Sequence, residues 1–284
     1  VPGHEIVGVV TAIGKNVSKF KIGDRAGVGC MVDGCTTCEE EQYEDGTKFT
    51  YGYADEREPT KITQGGYSTH IVVNNHFAVH IPNNLSFEKA APLLCAGITT
   101  YSPIMKAQIN KGDKVAVAGI GGLGHMAVKL AVSKGAEVYA FTTSADKVKD
   151  IKAFGAKEVM VVDNKEKFLA YQGQMDYMIS TIPYQFDVAS YASVVKPYGF
   201  FTQVGMPENF QITLNNLGLS VSRVNFNASL IGGMKETQEM INYCAKNNVL
   251  PEIQIIKADD INQAWKNVEN KKARYRYVID VATI

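Results

Sequence analysis

Three groups of residues combine type and spacing in ways that could do chemistry. The first is Gly119, Gly121 and Gly124, with Gly122 and Leu123 inside the run. Four small or β-branched apolar residues, Val115 to Ala118, precede this G-x-G-x-x-G stretch and read as a buried strand. A helical pattern follows, with Met126, Leu130 and Ala131 on one face and Lys134-Gly135 as its C-cap. Between a strand and a helix, the first glycine permits a tight turn. The second lets backbone approach a pyrophosphate, and the third lets helix and strand pack closely. The anion then sits on the helix N-terminus, where free N–H groups and the helix dipole favour negative charge. The next strand ends Phe141-Thr142-Thr143-Ser144-Ala145-Asp146-Lys147, with no carboxylate at its tip. NAD sites usually carry an acid there, bonding the ribose 2′-hydroxyl. Hydroxyls and a cation instead suit a 2′-phosphate. Ser144 reads equally as a plain helix N-cap.

The second group is His4-Glu5 with Cys95. Zinc accepts imidazole nitrogen and thiolate well. These residues lie far apart in sequence, however, and on their own they read as a turn histidine and a buried cysteine. The third group is Cys35-Thr36-Thr37-Cys38, a spacing that serves a redox pair or half of a zinc site. Cys30 and Cys244 sit in strand-like and helix-like contexts and are assigned to the core. His70, His76, His80 and His125 have no partner spacing and are read as structural or surface residues.

The elements that must position these groups follow a simple rhythm. Residues 4–32 alternate apolar and polar with glycine punctuation, and Ile6–Val10 and Arg25–Gly29 read as short strands. Residues 33–66 are polar and irregular. Tyr67–Val73 and residues 77–81 read as further strands, and Phe87–Lys106 as a helix interrupted at Pro92 and Pro103. From Lys114 strands and helices alternate: strands at Glu137–Phe141, Glu158–Val162, Tyr177–Thr181, Gly199–Val204 and Asn225–Leu230, with helices at Ser144–Phe154 and Tyr184–Val195. That spacing predicts an α/β fold with a doubly wound parallel sheet. The tail, with helices at Thr237–Lys246 and Ile261–Asn270 and strands at Ile253–Ile256 and Tyr275–Val281, is expected to return to the first unit. With 284 residues there is room for one large or two ordinary domains, with ample core. The 29 basic and 29 acidic residues balance, and no charged block points to nucleic acid. No apolar run is long enough to span a bilayer and no signal-peptide pattern opens the chain. Five cysteines in a chain of this size indicate a reducing, cytoplasmic setting. The opening Val1-Pro2-Gly3, without Met, reads as the middle of something longer.

Several stretches taken together resemble one family: Pro2-Gly3-His4-Glu5, Gly65-Gly66-Tyr67-Ser68, Leu93 to Tyr101, Gly119 to Gly124 and Lys272 to Asp280. The chain resembles, along its whole length and in order, the zinc-dependent medium-chain alcohol dehydrogenases of the cinnamyl-alcohol-dehydrogenase-like aldehyde reductase branch. The resemblance implies a β-rich GroES-like catalytic domain from residues 1–88 and 237–284, and a Rossmann NADP-binding domain from residues 89–236. It implies a catalytic zinc on His4 and Cys95, with Glu5 beside the metal as an occasional ligand, and an active site in the cleft. Thr143, Ser144 and Lys147 become the NADP-binding set, and Thr99, Val204 and Gly205 lie near the nicotinamide. In the family a further catalytic cysteine, and the hydroxyl residue that starts a proton relay, precede the Pro-Gly-His-Glu motif. Since this sequence begins at Val1, the catalytic domain is expected to be incomplete.

The family also carries four cysteines for a structural zinc near Cys35 and Cys38. Here Glu41 and Glu44 fall where the others would be, so two free thiols are expected rather than a closed zinc site. The implied function is interconversion of alcohols and aldehydes with NADP(H), mainly aldehyde reduction, in a homodimer joined through the Rossmann domain. The alternative is a nucleotide-binding relative with a degenerate metal site and little or no catalysis.

Overall fold

A computed structural model describes residues 1–36, 47–164 and 166–284. Contacts divide the chain into two compact units. Unit 1 comprises Val1–Ile98 and Ile231–Ile284, and unit 2 comprises Thr99–Leu230.

Unit 1 opens with β1 (Ile6–Val9), β2 (Arg25–Val28), β3 (Met31–Asp33), β4 (Lys48–Phe49) and β5 (Ala78–His80). β2 lies antiparallel between β1 and β5, and β3 pairs with β4. Phe20, Val28 and Ala78 bury against one face of the three-stranded sheet, as the alternating pattern requires. The expected strand at Tyr67–Val73 does not form. Its first residues instead anchor the N-terminus: Gly65 N donates to Val1 O at 2.7 Å, Gly66 N to Gly3 O at 2.9 Å and Tyr67 N to Pro2 O at 3.0 Å. Beyond Tyr67 the Ser68 hydroxyl bends the chain by donating to His70 O, and Val72 is 93% exposed. Alternation makes a strand only where a ladder partner lies alongside, and none does among the described residues.

The predicted helix from Phe87 divides in two. Pro92 turns Ala91–Leu94 into a 3-10 segment, and a second helix runs Ala96–Lys106. Pro103 does not break that second helix, whose flanking residues Tyr101 and Ile104 are buried. Its tertiary packing outweighs one missing backbone bond.

Unit 2 is the α/β part. Its strands are β6 (Lys114–Ala118), β7 (Glu137–Thr142), β8 (Glu158–Val161), β9 (Met175–Ser180), β10 (Val195–Gln203) and β11 (Asn225–Ala228). They form one parallel sheet in the order β11-β10-β9-β6-β7-β8. The order reverses direction at β6, and in doubly wound sheets such a switch point opens a crevice at the strands' carboxyl ends. β6 is buried almost throughout because neighbouring strands cover both its edges. One face of the sheet packs on a cluster that includes Phe141, Phe168, Tyr191 and Phe201. The helix expected at Tyr184–Val195 is limited to Val188–Ala192, and a helix at Asn216–Ser222 was not foreseen. The latter buries none of its residues and so carries no apolar periodicity to read.

The tail holds a 14-residue helix, Met234–Asn247. It then forms a parallel pair, β12 (Ile253–Ile256) with β13 (Arg276–Ile279), linked by the helix Ile261–Glu269. This pair belongs to unit 1.

Candidate metal cluster and nucleotide-binding turn

In unit 1, His4, Cys30 and Cys95 converge from three separate segments, with one donor atom of each lying within 4.8 Å of the others. His4 follows the Val1–Gly3 segment held by Gly65–Tyr67, and its ring stacks on Tyr51 at 5.7 Å between centroids. Cys95 sits at the joint between the 3-10 segment and the helix from Ala96, where Pro92 breaks the helical run. Cys30 was expected in the core. It is instead half-buried, in the bend between β2 and β3. Gly29 explains why: a Cβ there would stand 2.8 Å from Leu94 O, so the two chain segments touch through bare backbone. The next residue on each side is a cysteine. Buried Thr50 fixes the bend by donating its hydroxyl to Gly29 O at 2.5 Å.

Glu5 lies beside this trio but is held by partners outside it. Its carboxylate pairs with Arg276 of β13, and it accepts from Ala96 N at 3.4 Å. Arg276 therefore carries the tail into this corner. It was the positioning residue sequence reasoning missed, although it lies in the Lys272–Asp280 stretch that carried the resemblance.

The protonation of the cluster is shared. A hydrogen bond from Cys30 holds the Cys95 thiol well below its ordinary value against the opposing effect of burial, and His4 adds to the lowering. The same bond, together with burial, pushes Cys30 well above. Burial alone would lower His4, but the hydrogen bond and charge of Cys95 outweigh it and the imidazole is raised. Burial raises the Glu5 carboxyl although Arg276 pulls it down.

An imidazole and two sulfurs form the donor set zinc prefers. Ligand atoms of a tetrahedral site with bonds of about 2.0–2.3 Å lie roughly 3.3–3.8 Å apart. A cluster drawn within 4.8 Å fits that with contractions of about 1.5 Å or less. In the other cysteine group, Cys35 is disulfide-bonded, which corrects the expected free thiol there. Cys38, Glu41 and Glu44 lie outside the described residues.

In unit 2 the glycine run forms the turn between β6 and the helix Gly124–Ser133. Gly119 has φ +81°. At Gly124 a Cβ would lie 2.0 Å from Gly119 O, so only glycine lets this helix start so close to the strand. A Cβ on Gly121 would meet nothing within 4 Å, leaving the space a pyrophosphate needs. His125, read as structural or surface, is fully buried and holds the turn: its Nδ1 lies 3.2 Å from Gly121 O. Lys147, 7% exposed, turns its Nζ to Ile120 O at 3.1 Å, which brings a cation to the glycine turn. Ser144 stands before the 3-10 turn Ala145–Lys147 but makes no side-chain cap bond, so capping is not its role here. Thr143 is exposed beside it.

At the ends of β9 and β10, Thr181 donates to Gly119 O at 2.5 Å, while Val204 N and Gly205 N both donate to Ser180 O. Buried Gln203 joins the two strand ends, its Nε2 donating to Ile182 O at 3.0 Å and Gly205 O at 2.8 Å. A glutamine closing an otherwise apolar strand was the available signal for it. Thr99 is buried in the helix Ala96–Lys106.

Comparisons with known proteins agree on one family. The alcohol dehydrogenase GroES-like domain matches residues 1–83 and the zinc-binding dehydrogenase family matches residues 122–246. An NADP-dependent alcohol dehydrogenase C of Mycolicibacterium smegmatis is 44% identical over 290 residues, covering 100% of this chain and 82% of that protein. Aldehyde reductase YahK of Escherichia coli is 42% identical, covering 100% of this chain and 83% of its own length. Among solved structures, a cinnamyl alcohol dehydrogenase from Helicobacter pylori complexed with NADP(H) superposes with a TM-score of 0.93 at 41% identity, covering 99% of this chain and 82% of that one.

Proposed function

This chain belongs to the zinc-binding medium-chain alcohol dehydrogenases of the cinnamyl-alcohol-dehydrogenase-like branch, and from that premise we propose that it interconverts alcohols and aldehydes with NADP(H), chiefly reducing aldehydes. The observation that carries the reading is the meeting of His4 and Cys95, remote in sequence, in one half-buried cluster of metal-ligating side chains. When bound, zinc supplies Lewis acidity to a substrate oxygen and NADPH supplies the hydride. His4 and Cys95 hold the metal. Arg276 fixes Glu5 beside it and keeps a carboxylate in a half-buried corner neutralised. In unit 2, Gly119, Gly121, Gly122, Leu123 and Gly124 take the pyrophosphate on the helix N-terminus. Thr143, Ser144 and Lys147 take the 2′-phosphate, and Thr99, Val204 and Gly205 take the nicotinamide end. The substrate is a small aldehyde or alcohol.

The same reading extends to a cytoplasmic homodimer joined through unit 2. The outer edge of β11 is open among the described residues, and an open strand edge can pair with a second sheet. No helix among the described residues is long and apolar enough to cross a membrane. The alternative of a non-catalytic nucleotide-binding relative gains no support from the named relatives, which all carry enzyme names. The test is cinnamaldehyde or benzaldehyde reduction followed by NADPH absorbance, with chelated and zinc-reloaded protein side by side. Turnover that is absent in both, or indifferent to chelation, counts against the reading. Light scattering of the purified chain measures the oligomer.

A further inference from the structure

We propose that Gln203 positions the nicotinamide end of the cofactor site, by clamping the exits of β9 and β10 with its side-chain amide. The inference rests on the NADP(H) reading above and adds a residue that reading does not contain. Gln203 is the last residue of β10 and lies beside Ser180, the last of β9. In a doubly wound sheet these carboxyl ends border the crevice that takes the dinucleotide. The chain leaves β10 sharply, because Val204 N at 2.8 Å and Gly205 N at 3.1 Å both donate to Ser180 O. Gly205 is thereby pressed onto the chain leaving β9, and a Cβ on it would run into Ile182 O.

Two carbonyls converge there, and Gln203 Nε2 donates to both, Ile182 O and Gly205 O. Among neutral side chains only a primary amide carries two protons on one nitrogen. The amide's orientation is therefore fixed, since reversing it would set Oε1 against both carbonyls. Oε1 itself is buried with no protein partner, so the nitrogen alone decides how the side chain lies. The backbone of Gln203 is tied in as well: Ser229 N, just past β11, donates to Gln203 O at 3.1 Å. Three strand exits thus meet at one residue that is 6% exposed. Without the amide, two carbonyl dipoles would face each other in a site of low polarity and repel. The Val204–Gly205 backbone would then lose its setting. Gln203 bonds to backbone and not to reacting atoms, so it acts through Gly205.

The experiment is calorimetric titration of the unaltered chain, Gln203→Met and Gln203→Asn. Each is titrated with NADPH and with 2′-phospho-ADP-ribose, which lacks the nicotinamide. Gln203→Met keeps the volume and removes both donors. It should weaken NADPH roughly tenfold and leave 2′-phospho-ADP-ribose within about twofold. Gln203→Asn keeps the amide but holds it one methylene short of the two carbonyls, and its loss of NADPH should be smaller. A residue that merely props the fold would lower both affinities together. Loss of both ligands alike, or of neither, overturns the proposal and leaves the cofactor reading standing. Failure of both variants to fold does the same, because it makes Gln203 a structural residue only. An unaltered chain that binds neither ligand overturns the proposal and the reading together.

Discussion

The glycine turn of unit 2 and the metal cluster of unit 1 are assembled in opposite ways. The turn comes from one continuous stretch, β6 through the helix Gly124–Ser133 with His125 inside it, and Lys147 and Thr181 only buttress it from later segments. The cluster takes His4, Cys30 and Cys95 from three segments, while Arg276 arrives on β13 from the tail to fix Glu5. A local site fails when its own residues change. A distributed site also fails when distant segments cease to hold it, because each ligand's position depends on contacts that close long loops. Perturbations should therefore separate: those in unit 2 alter cofactor binding and spare metal, and those in unit 1 do the reverse.

The sharpest break in that contrast is Cys95→Ala. Lewis-acid stabilisation is worth several kcal/mol, so aldehyde reduction should fall roughly a thousandfold. NADPH affinity by fluorescence titration should stay within about twofold; loss of both together would show that the sites are not separable. Arg276→Met leaves Glu5 an uncompensated half-buried carboxylate, at the low end of what broken buried pairs lose, about 3 kcal/mol. Denaturant unfolding should show this in unit 1, with zinc affinity falling although no proposed ligand has changed.

Lys147→Ala tests unit 2. Removing a charge-assisted bond of about 1.5–3 kcal/mol should weaken NADPH at least tenfold and leave NADH nearly unaltered; equal loss of both would make Lys147 a prop for the turn and not a phosphate ligand. Gly124→Ala drives a methyl against Gly119 O. Overpacking of about 1–3 kcal/mol should lower the melting temperature and cofactor affinity with zinc content unchanged.

The smallest effect is one of pH. Buried Asp55 accepts from Arg57, which also pairs with Asp33, and from Lys48, and these two cations hold its carboxyl well below the usual carboxylate range. A carboxyl depressed in the folded state adds stability above its unfolded value of about 3.9, and that stability is lost as pH falls through the folded value. Asp55→Asn should thus flatten the acid side of the unfolding curve below about pH 4, while lowering stability slightly at pH 7.

What could be read from the sequence follows the same division. The glycine turn was legible because strand, turn and helix are adjacent and each has a period of its own. His4 and Cys95 were not legible from their chemistry alone; only resemblance joined them. Cys30 was misread because its strand-like surroundings are real, β2 and β3 lying on either side, while the deciding contact of Gly29 with Leu94 links residues far apart in the chain. The strand expected at Tyr67–Val73 failed for a related reason, since alternation shows a residue's faces but not whether a partner is present. Arg276 and Gln203 act through partners in other segments, Glu5 and Ile182, which one-dimensional spacing cannot supply.

The tail's place in unit 1 also fixes an order of events during synthesis. Unit 2 is synthesised whole before residues 231–284 exist, so most of it can begin to fold while unit 1 still lacks β12, β13 and Arg276. At 5–20 residues per second that interval lasts roughly 3–11 s. Throughout it Cys30 and Cys95 have been made but the Glu5 corner has no cation to close it. For those seconds the nascent chain carries both thiols without the tail that completes their unit.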